Sequence, residues 1–264
     1  MAEILTPRPA ATVVTLRDAP EGFEVLMLKR NLNSDFIGGA YVFPGGGVDV
    51  GDAGASGQKL SIGITDTEAS RRLGIESGGL AYFVACLREL FEEAGLLVAC
   101  DADGNPVRFS DPETIKRMAA HRRAVNTNEL KFIDMMEQEQ LFLDLRGLAY
   151  SAHWVTPVGP PRRYDTRFFV ALAPTDQVAT HDAGETVADQ WVRPLEALAM
   201  HERGELEMIF PTIKNLQDIA HFTTSREVLN YANALTEIPR IEPRIKTING
   251  EAVILMPGDD GFDD

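Results

Sequence analysis

Cysteine is nearly absent. Cys86 and Cys100 are the two in a chain of 264 residues, with no CxxC pair, which excludes a disulfide framework and a cysteine-based zinc site. The five histidines show no zinc spacing either. Cys86 falls in an apolar run and reads as a small buried hydrophobe. Long hydrophobic runs are missing too: no stretch is long enough to span a bilayer, and Met1 to Pro9 carries no secretion-type apolar segment. These absences make a reducing cytoplasm the expected location. Basic residues are scarce, with 25 Lys and Arg against 40 Asp and Glu and a net charge of −15 at pH 7. An acidic surface repels phosphate backbones and anionic headgroups, so neither nucleic acid nor membrane is expected as a partner. A small anionic substrate remains allowed, because arginines and bound cations reverse the field locally.

What is present suits a globular chain: 44% hydrophobic and 25% charged residues, with length enough to bury a substantial core. Ala10 to Leu16 and Phe23 to Lys29 read as strands joined by a turn at Asp18 to Gly22, and Ala40 to Phe43 as a short strand. Helical spacing covers Thr67 to Leu73, then Asp111 to Arg123 with Ser110 or Asp111 as N-cap. A further helix is expected over Asn128 to Leu143, through Leu130, Ile133, Met136 and Leu141. Tyr164 to Ala173 and Gln190 to Val192 read as strands, followed by helices at Leu195 to Met200, Ile213 to Ala220 and Arg226 to Leu235. The tail predicts a hairpin, Arg244 to Ile248 and Glu251 to Met256 about Asn249-Gly250, free to pair with a domain edge or a second subunit.

The chemistry concentrates in Arg88-Glu-Leu-Phe-Glu-Glu-Ala-Gly-Leu96. On a helix, Glu89, Glu92 and Glu93 stand at i, i+3 and i+4 and project from one face. Like charges that close repel, and a hard divalent cation such as Mg2+ or Mn2+, which prefers oxygen ligands, removes the repulsion. Gly95 supplies the C-terminal cap. Upstream lies Phe43-Pro-Gly-Gly-Gly-Val-Asp-Val-Gly-Asp52, a strand leading into glycines that allow close backbone approach.

Together the two segments resemble the Nudix box: Gly, five residues, Glu, seven residues, then Arg-Glu-apolar-x-Glu-Glu-x-Gly-apolar. Arg88, Glu89, Leu90, Glu92, Glu93, Gly95 and Leu96 match the second half throughout, and Gly46 takes the first glycine. Two departures stand out. Asp52 replaces the first Glu, and residues 53 to 80 interrupt the motif before Ala81 to Leu87 open the helix. An interrupted box of this kind is similar to the Nudix subfamily of the peroxisomal coenzyme A diphosphatase and its bacterial relatives, as is Trp154 to Phe169; the likeness runs from about Ala10 to Ala220.

The resemblance implies an α/β fold, a Nudix-type α/β/α sandwich with a mixed sheet and helical insertions. One elaborated domain over 1–264 is expected: a core of about 10–220, the excursion 53–80 inside the box, a helical insertion at about 111–146, and a helix-and-hairpin appendage at 221–264. It implies that Glu89, Glu92 and Glu93 bind Mg2+ or Mn2+, while leaving open which carboxylate acts as base. Arg88 would orient them. Asp52 is open between a plain turn residue and one that folds back onto Arg88. Glu185, in a loop before Trp191, is open between a solvated acid and a distal ligand or base. Gly45 and Gly46 would face substrate. Arg162, Arg163 and Arg167, and more weakly Arg30, would grip phosphate through their planar forks, or else pair with neighbouring acids such as Asp165. His153 and His181 read as structural.

The expected activity is metal-dependent hydrolysis of a diphosphate linkage in a nucleoside diphosphate derivative, with coenzyme A or acyl-coenzyme A first. ADP-ribose, NADH and other dinucleotides are the alternatives, since the box encodes diphosphate chemistry and not the attached group. A nucleotide-sensing module without turnover and an interaction scaffold built on the insertions are rival classes. The intact carboxylate trio argues against the sensing module, whereas the Asp52 substitution and the insertion argue for it. A homodimer is expected by analogy alone.

Overall fold

In a computed structural model, which describes residues 5–32, 38–248 and 250–263, a central mixed sheet separates two layers of helices. Strands β1 (Arg8–Ala19) and β2 (Gly22–Arg30) form an antiparallel hairpin closed by Ala19 and Gly22. Short β3 (Tyr41–Val42) pairs with β2, and β4 (Gly45–Gly47) pairs with β1. The three glycines therefore run as a strand. Their register, Gly45 beside Thr12 and Gly46 beside Ala11, sets them against the start of β1.

The excursion that interrupts the box is folded. A 3-10 turn over Val50–Ala53 leads into α1 (Ala55–Lys59), β5 (Ser61–Ile62) and α2 (Asp66–Leu73). The Thr65 hydroxyl caps α2, accepting from the Glu68 N–H. Asp66 then accepts from the Gly78 and Leu80 N–H groups and so anchors the entry to α3 (Leu80–Ala94). Gly95, at φ +71°, ends α3 in the left-handed conformation that a side chain would strain.

After β6 (Ala99–Cys100), α4 (Pro112–Asn126) starts on Asp111, whose carboxylate accepts from Thr114 N–H at 2.9 Å. The helix expected over Asn128 to Leu143 is much shorter, α5 (Phe132–Gln138). Asn128 and Gln140 take φ of +58° and +57° and break the helical path on either side. The residues beyond become β7 (Phe142–Asp144), paired between β5 and β6 in a separate three-stranded sheet. Pairing with distant strands overrode a helical apolar spacing.

The main sheet is completed by β8 (Ala149–Val155), which the sequence reading did not anticipate, β9 (Tyr164–Leu172) and β10 (Thr186–Val192). On the far face lie α6 (Pro194–Glu202), α7 (Phe210–Ile219) and α8 (Ser225–Ala234). Then β11 (Arg240–Ile241) adds to β8, and β12 (Arg244–Ile248) pairs with β13 (Glu251–Leu255) as a separate hairpin. The expected Asn249-Gly250 turn is described only at Gly250, at φ +88°; Asn249 lies outside the described residues. Strand order is β10-β2-β1-β9-β8-β11, with β1 and β9 parallel.

The period-two alternation of the central strands assigns the two cores. Ala11, Val13, Leu26 and Leu28 face α3, α4 and α5, while Val14, Leu16, Val25 and Met27 face α7 and α8. Because α3 lies between the sheet and the outer helices, it is buried on most sides, with Phe83 edge-on to Phe169 at 4.7 Å. Among the described residues no helix is long and apolar enough to cross a membrane.

Candidate active site

The second half of α3 and β4 meet at one end of the sheet. Arg88 is buried there and all three of its nitrogens donate. Nε reaches Asp52 Oδ1 at 2.9 Å; Nη2 reaches Asp52 Oδ2 at 3.0 Å and the Gly47 carbonyl at 2.7 Å. Nη1 reaches Glu89 Oε1 at 2.8 Å and Glu92 Oε2 at 3.2 Å. Asp52, 3% exposed, also accepts from the Asp49 N–H at 2.8 Å, so the 3-10 turn holds the carboxylate in place. Of the two readings open for Asp52, the geometry is the one folded back onto Arg88. Its shorter side chain is met by a turn that brings the backbone close.

Burial works against charge on Arg88, yet Asp52, Glu89 and Glu92 outweigh it and raise its pKa. The glutamates show the converse. Burial raises the Glu89 carboxyl to about 7, with Glu92 and Glu185 adding and Arg88 opposing. Burial likewise pushes Glu92 upward, and Glu93 well upward with the help of Glu89. These carboxylates lack enough positive charge to be comfortable as anions.

Backbone geometry brings them together. Gly45 N–H donates to Glu93 Oε2 at 2.9 Å. A Cβ on Gly46 would fall 2.5 Å from Glu89 Oε1, so only glycine lets β4 lie against that carboxylate. The other Glu93 oxygen, Oε1, is buried without a hydrogen-bond partner among the described residues. An orphaned carboxylate oxygen beside two further carboxylates fits a hard divalent cation. Among the described residues no trio of acidic, His or Cys groups is already gathered as a ligand set, and Arg88 pairs with Glu89 and Glu92. Glu89, Glu92 and Glu93 are the residues that would hold the ion.

Glu185 is exposed on the turn just before β10, and its charge raises both Glu89 and Glu93. Asp182 shapes its turn, accepting from Glu185 N–H at 3.0 Å, Thr186 N–H at 2.8 Å and the Thr186 hydroxyl at 2.7 Å. Arg30, at the end of β2, lowers the Glu93 pKa and so also acts on this cluster.

The expected arginine grip is not assembled. Arg163 is spent on internal ties, donating to the Thr156 carbonyl at 3.0 Å, to the Leu5 carbonyl at 2.7 Å and to Glu242. Arg167 pairs with Asp165 at 2.9 Å and lies over Tyr82, while Arg162 is exposed. The ion-pairing alternative therefore describes Arg167, and an internal tie describes Arg163. His153 bonds Asp165 at 2.7 Å and His181 bonds Asp189 at 2.6 Å, both structural contacts. A cavity of about 550 Å3 lined by His221, Phe222, Glu227 and Tyr231 lies by α8, on the opposite side of the sheet from α3. The sequence reading missed Gln177, Thr180 and Arg122, which pack around the end of α3 from 30 to 86 residues away. No local pattern marks such contacts.

Comparison with known proteins adds to this geometry. The family described as the NUDT19 Nudix domain matches residues 65–219, more than half of the chain. Acyl-coenzyme A diphosphatase NUDT19 of Xenopus laevis is 26% identical over 270 residues, covering 90% of this chain and 71% of that protein. The human protein of the same name is 26% identical over 285 residues, covering 96% and 76%. A crystal structure of a NUDIX hydrolase from Alicyclobacillus acidocaldarius superposes with a TM-score of 0.67 at 26% identity, over 85% of this chain and 96% of that one.

Proposed function

The chain belongs to the NUDT19 Nudix family of hydrolases, and on that premise we propose that it cleaves the diphosphate of coenzyme A or an acyl-coenzyme A with Mg2+ or Mn2+. The observation that carries the metal-dependent reading is Glu93 Oε1, buried and unpartnered beside Glu89 and Glu92. The substrate rests on the two relatives named as acyl-coenzyme A diphosphatases, which overlap nearly the whole chain.

A diphosphate resists hydrolysis mainly because its own anionic oxygens repel a nucleophile. A divalent ion bound at α3 would supply charge neutralisation and lower the pKa of an attacking water. Glu89, Glu92 and Glu93 would hold that ion beside β4. Arg88 and Asp52 keep the carboxylates oriented, and Gly45 N–H fixes Glu93. Glu185, exposed on the turn before β10 and acting electrostatically on Glu89 and Glu93, is our candidate to accept the proton of the water. Water adds to one phosphorus, the bridging P–O bond breaks, and the products are adenosine 3′,5′-bisphosphate and 4′-phosphopantetheine or its S-acyl derivative.

The test is incubation with Mg2+ or Mn2+ and a panel of coenzyme A, acetyl-coenzyme A, ADP-ribose, NADH and diadenosine polyphosphates, with products identified by mass. Cleavage of coenzyme A that vanishes in Glu92→Gln/Glu93→Gln is the expected outcome. Cleavage confined to other members would discard the coenzyme A assignment and keep the chemistry. Turnover of none, with metal bound, would replace the enzyme by a nucleotide sensor.

A further inference from the structure

Arg122 belongs to α4, outside the box, and its side chain ends at the C-terminal end of α3. Nε donates to the Glu92 carbonyl at 2.9 Å, beside Asn126 Nδ2 at 3.1 Å. That carbonyl is among those a helix end leaves without an intrahelical partner, and a cation there also suits the helix dipole. Nη1 donates to Thr180 Oγ1 at 3.2 Å, and Thr180 N–H in turn donates to the Ala94 carbonyl at 2.9 Å. Three residues earlier, Gln177 pairs with Leu97 in both directions, accepting from its N–H at 2.7 Å and donating to its carbonyl at 2.9 Å.

The segment leading to Glu185 is thus stapled to the exit of α3 at successive points, with Arg122 joining helix to segment. Farther on, Asp182 closes the turn around Ala183, which takes φ +64°, a conformation rarely adopted by a residue with a side chain. Asn31 binds the carbonyls of Gly184 and Glu185 from the other side. Arg122 Nη2 is buried without a hydrogen-bond partner among the described residues, and the acids acting on the guanidinium are Asp182, Glu93 and Asp189. The guanidinium therefore bridges the last turn of α3 and the segment that leads to the Glu185 turn.

We propose that Arg122 is a positioning residue for hydrolysis: it locks the last turn of α3 to the segment carrying Glu185, so that Glu93 and Glu185 address one site. The inference rests on the Nudix hydrolase reading and gives α4 a part in the reaction. Catalytic groups misplaced by about 1 Å lose on the order of a hundredfold in rate, so a clamp of this kind acts on turnover more than on substrate binding.

The test compares Arg122→Ala, Arg122→Lys and Thr180→Val with Arg123→Ala, an exposed neighbour on α4. Arg122→Ala is expected to lower kcat by about tenfold or more, with KM within about twofold and the Tm little changed. Arg122→Lys should recover part of the loss, since an ammonium lacks the fork that reaches both Glu92 and Thr180. Thr180→Val removes one acceptor at an exposed position and should give a smaller fall in kcat without unfolding. Amide exchange across 178–186 should quicken in both Arg122→Ala and Thr180→Val, and Mn2+ affinity read from the free-ion paramagnetic signal should weaken. Wild-type kcat in Arg122→Ala despite faster exchange would overturn the proposal, as would a change in KM alone. If the wild type cleaves no coenzyme A but does cleave another panel member, the substrate assignment fails and the clamp is judged on that member. If it cleaves none, unchanged Mn2+ affinity in Arg122→Ala overturns the clamp and weakened affinity upholds it.

Discussion

Arg88 makes five hydrogen bonds to four residues, and Asp52 takes two of them in a buried setting. Removing one partner of such a pair leaves an uncompensated buried charge. Asp52→Ala is therefore expected to lower the unfolding free energy by about 3–5 kcal/mol, measured by urea denaturation. A loss below about 1 kcal/mol would mean Glu89 and Glu92 alone satisfy Arg88. Glu93 poses the opposite case, because burial and Glu89 raise its carboxyl and the folded state bears the strain of its charge. Glu93→Gln keeps the shape and the Gly45 contact while removing the charge. In chelator at neutral pH it should melt higher than wild type, and with Mn2+ it should not turn over. A lower melting temperature in chelator would show that the anion is held by contacts other than metal. At Gly46 a methyl would meet the Glu89 carboxylate at 2.5 Å, so Gly46→Ala should keep the fold and lower kcat.

Elements differ in how plainly they are written. The acidic turn of α3 is legible because like charges at i, i+3 and i+4 have few structural uses, and Gly95 marks its end. The glycines were legible as a close approach but not as a strand, since their pairing with Ala10, Ala11 and Thr12 is a tertiary matter. Strand β8 escaped notice because Ser151 and His153 blur its apolar alternation. The extra length assigned to α5 came from Leu130 and Leu141, whose spacing matched a helix that Asn128 and Gln140 interrupt. Arg122 could not be seen at all: its partners lie 30 and 58 residues away. Helix α8 offers a test of local coding. Thr224 and Glu227 form a capping box, and Asp18 of β1 accepts from Ser225 N–H at 2.9 Å. Hydrogen bonds from Ser225 hold the Asp18 carboxyl below its ordinary value. A depressed folded-state pKa gives stability that is present above the unfolded value and lost as pH falls through the folded one. Asp18→Asn should therefore melt lower than wild type at neutral pH, and the difference should shrink in acid below about pH 4. A gap of constant size across that range would assign the contact to shape rather than charge.

At the scale of the whole molecule, an acidic chain of net charge −15 gathers buried carboxylates at one end of its sheet. Two apolar layers, one on each face, supply the stability that lets it do so. Repulsion among Glu89, Glu92, Glu93 and Glu185 opposes folding, so a cation held there would link metal occupancy to stability. An ion that binds the folded chain alone stabilises it by about 2.7 kcal/mol at a hundred times its dissociation constant. For a chain of this size that is a rise of roughly 5–10 °C in Tm. Mn2+ or Mg2+ should produce such a rise in differential scanning fluorimetry, chelation should reverse it, and Ca2+, larger and less strict in geometry, should give a different rise. Glu92→Gln/Glu93→Gln should show no metal-dependent rise while starting from a higher Tm in chelator, since it has already lost the repulsion that the cation relieves. A double variant that still gains several degrees from Mn2+ would place the stabilising ion elsewhere and detach the carboxylate trio from metal binding.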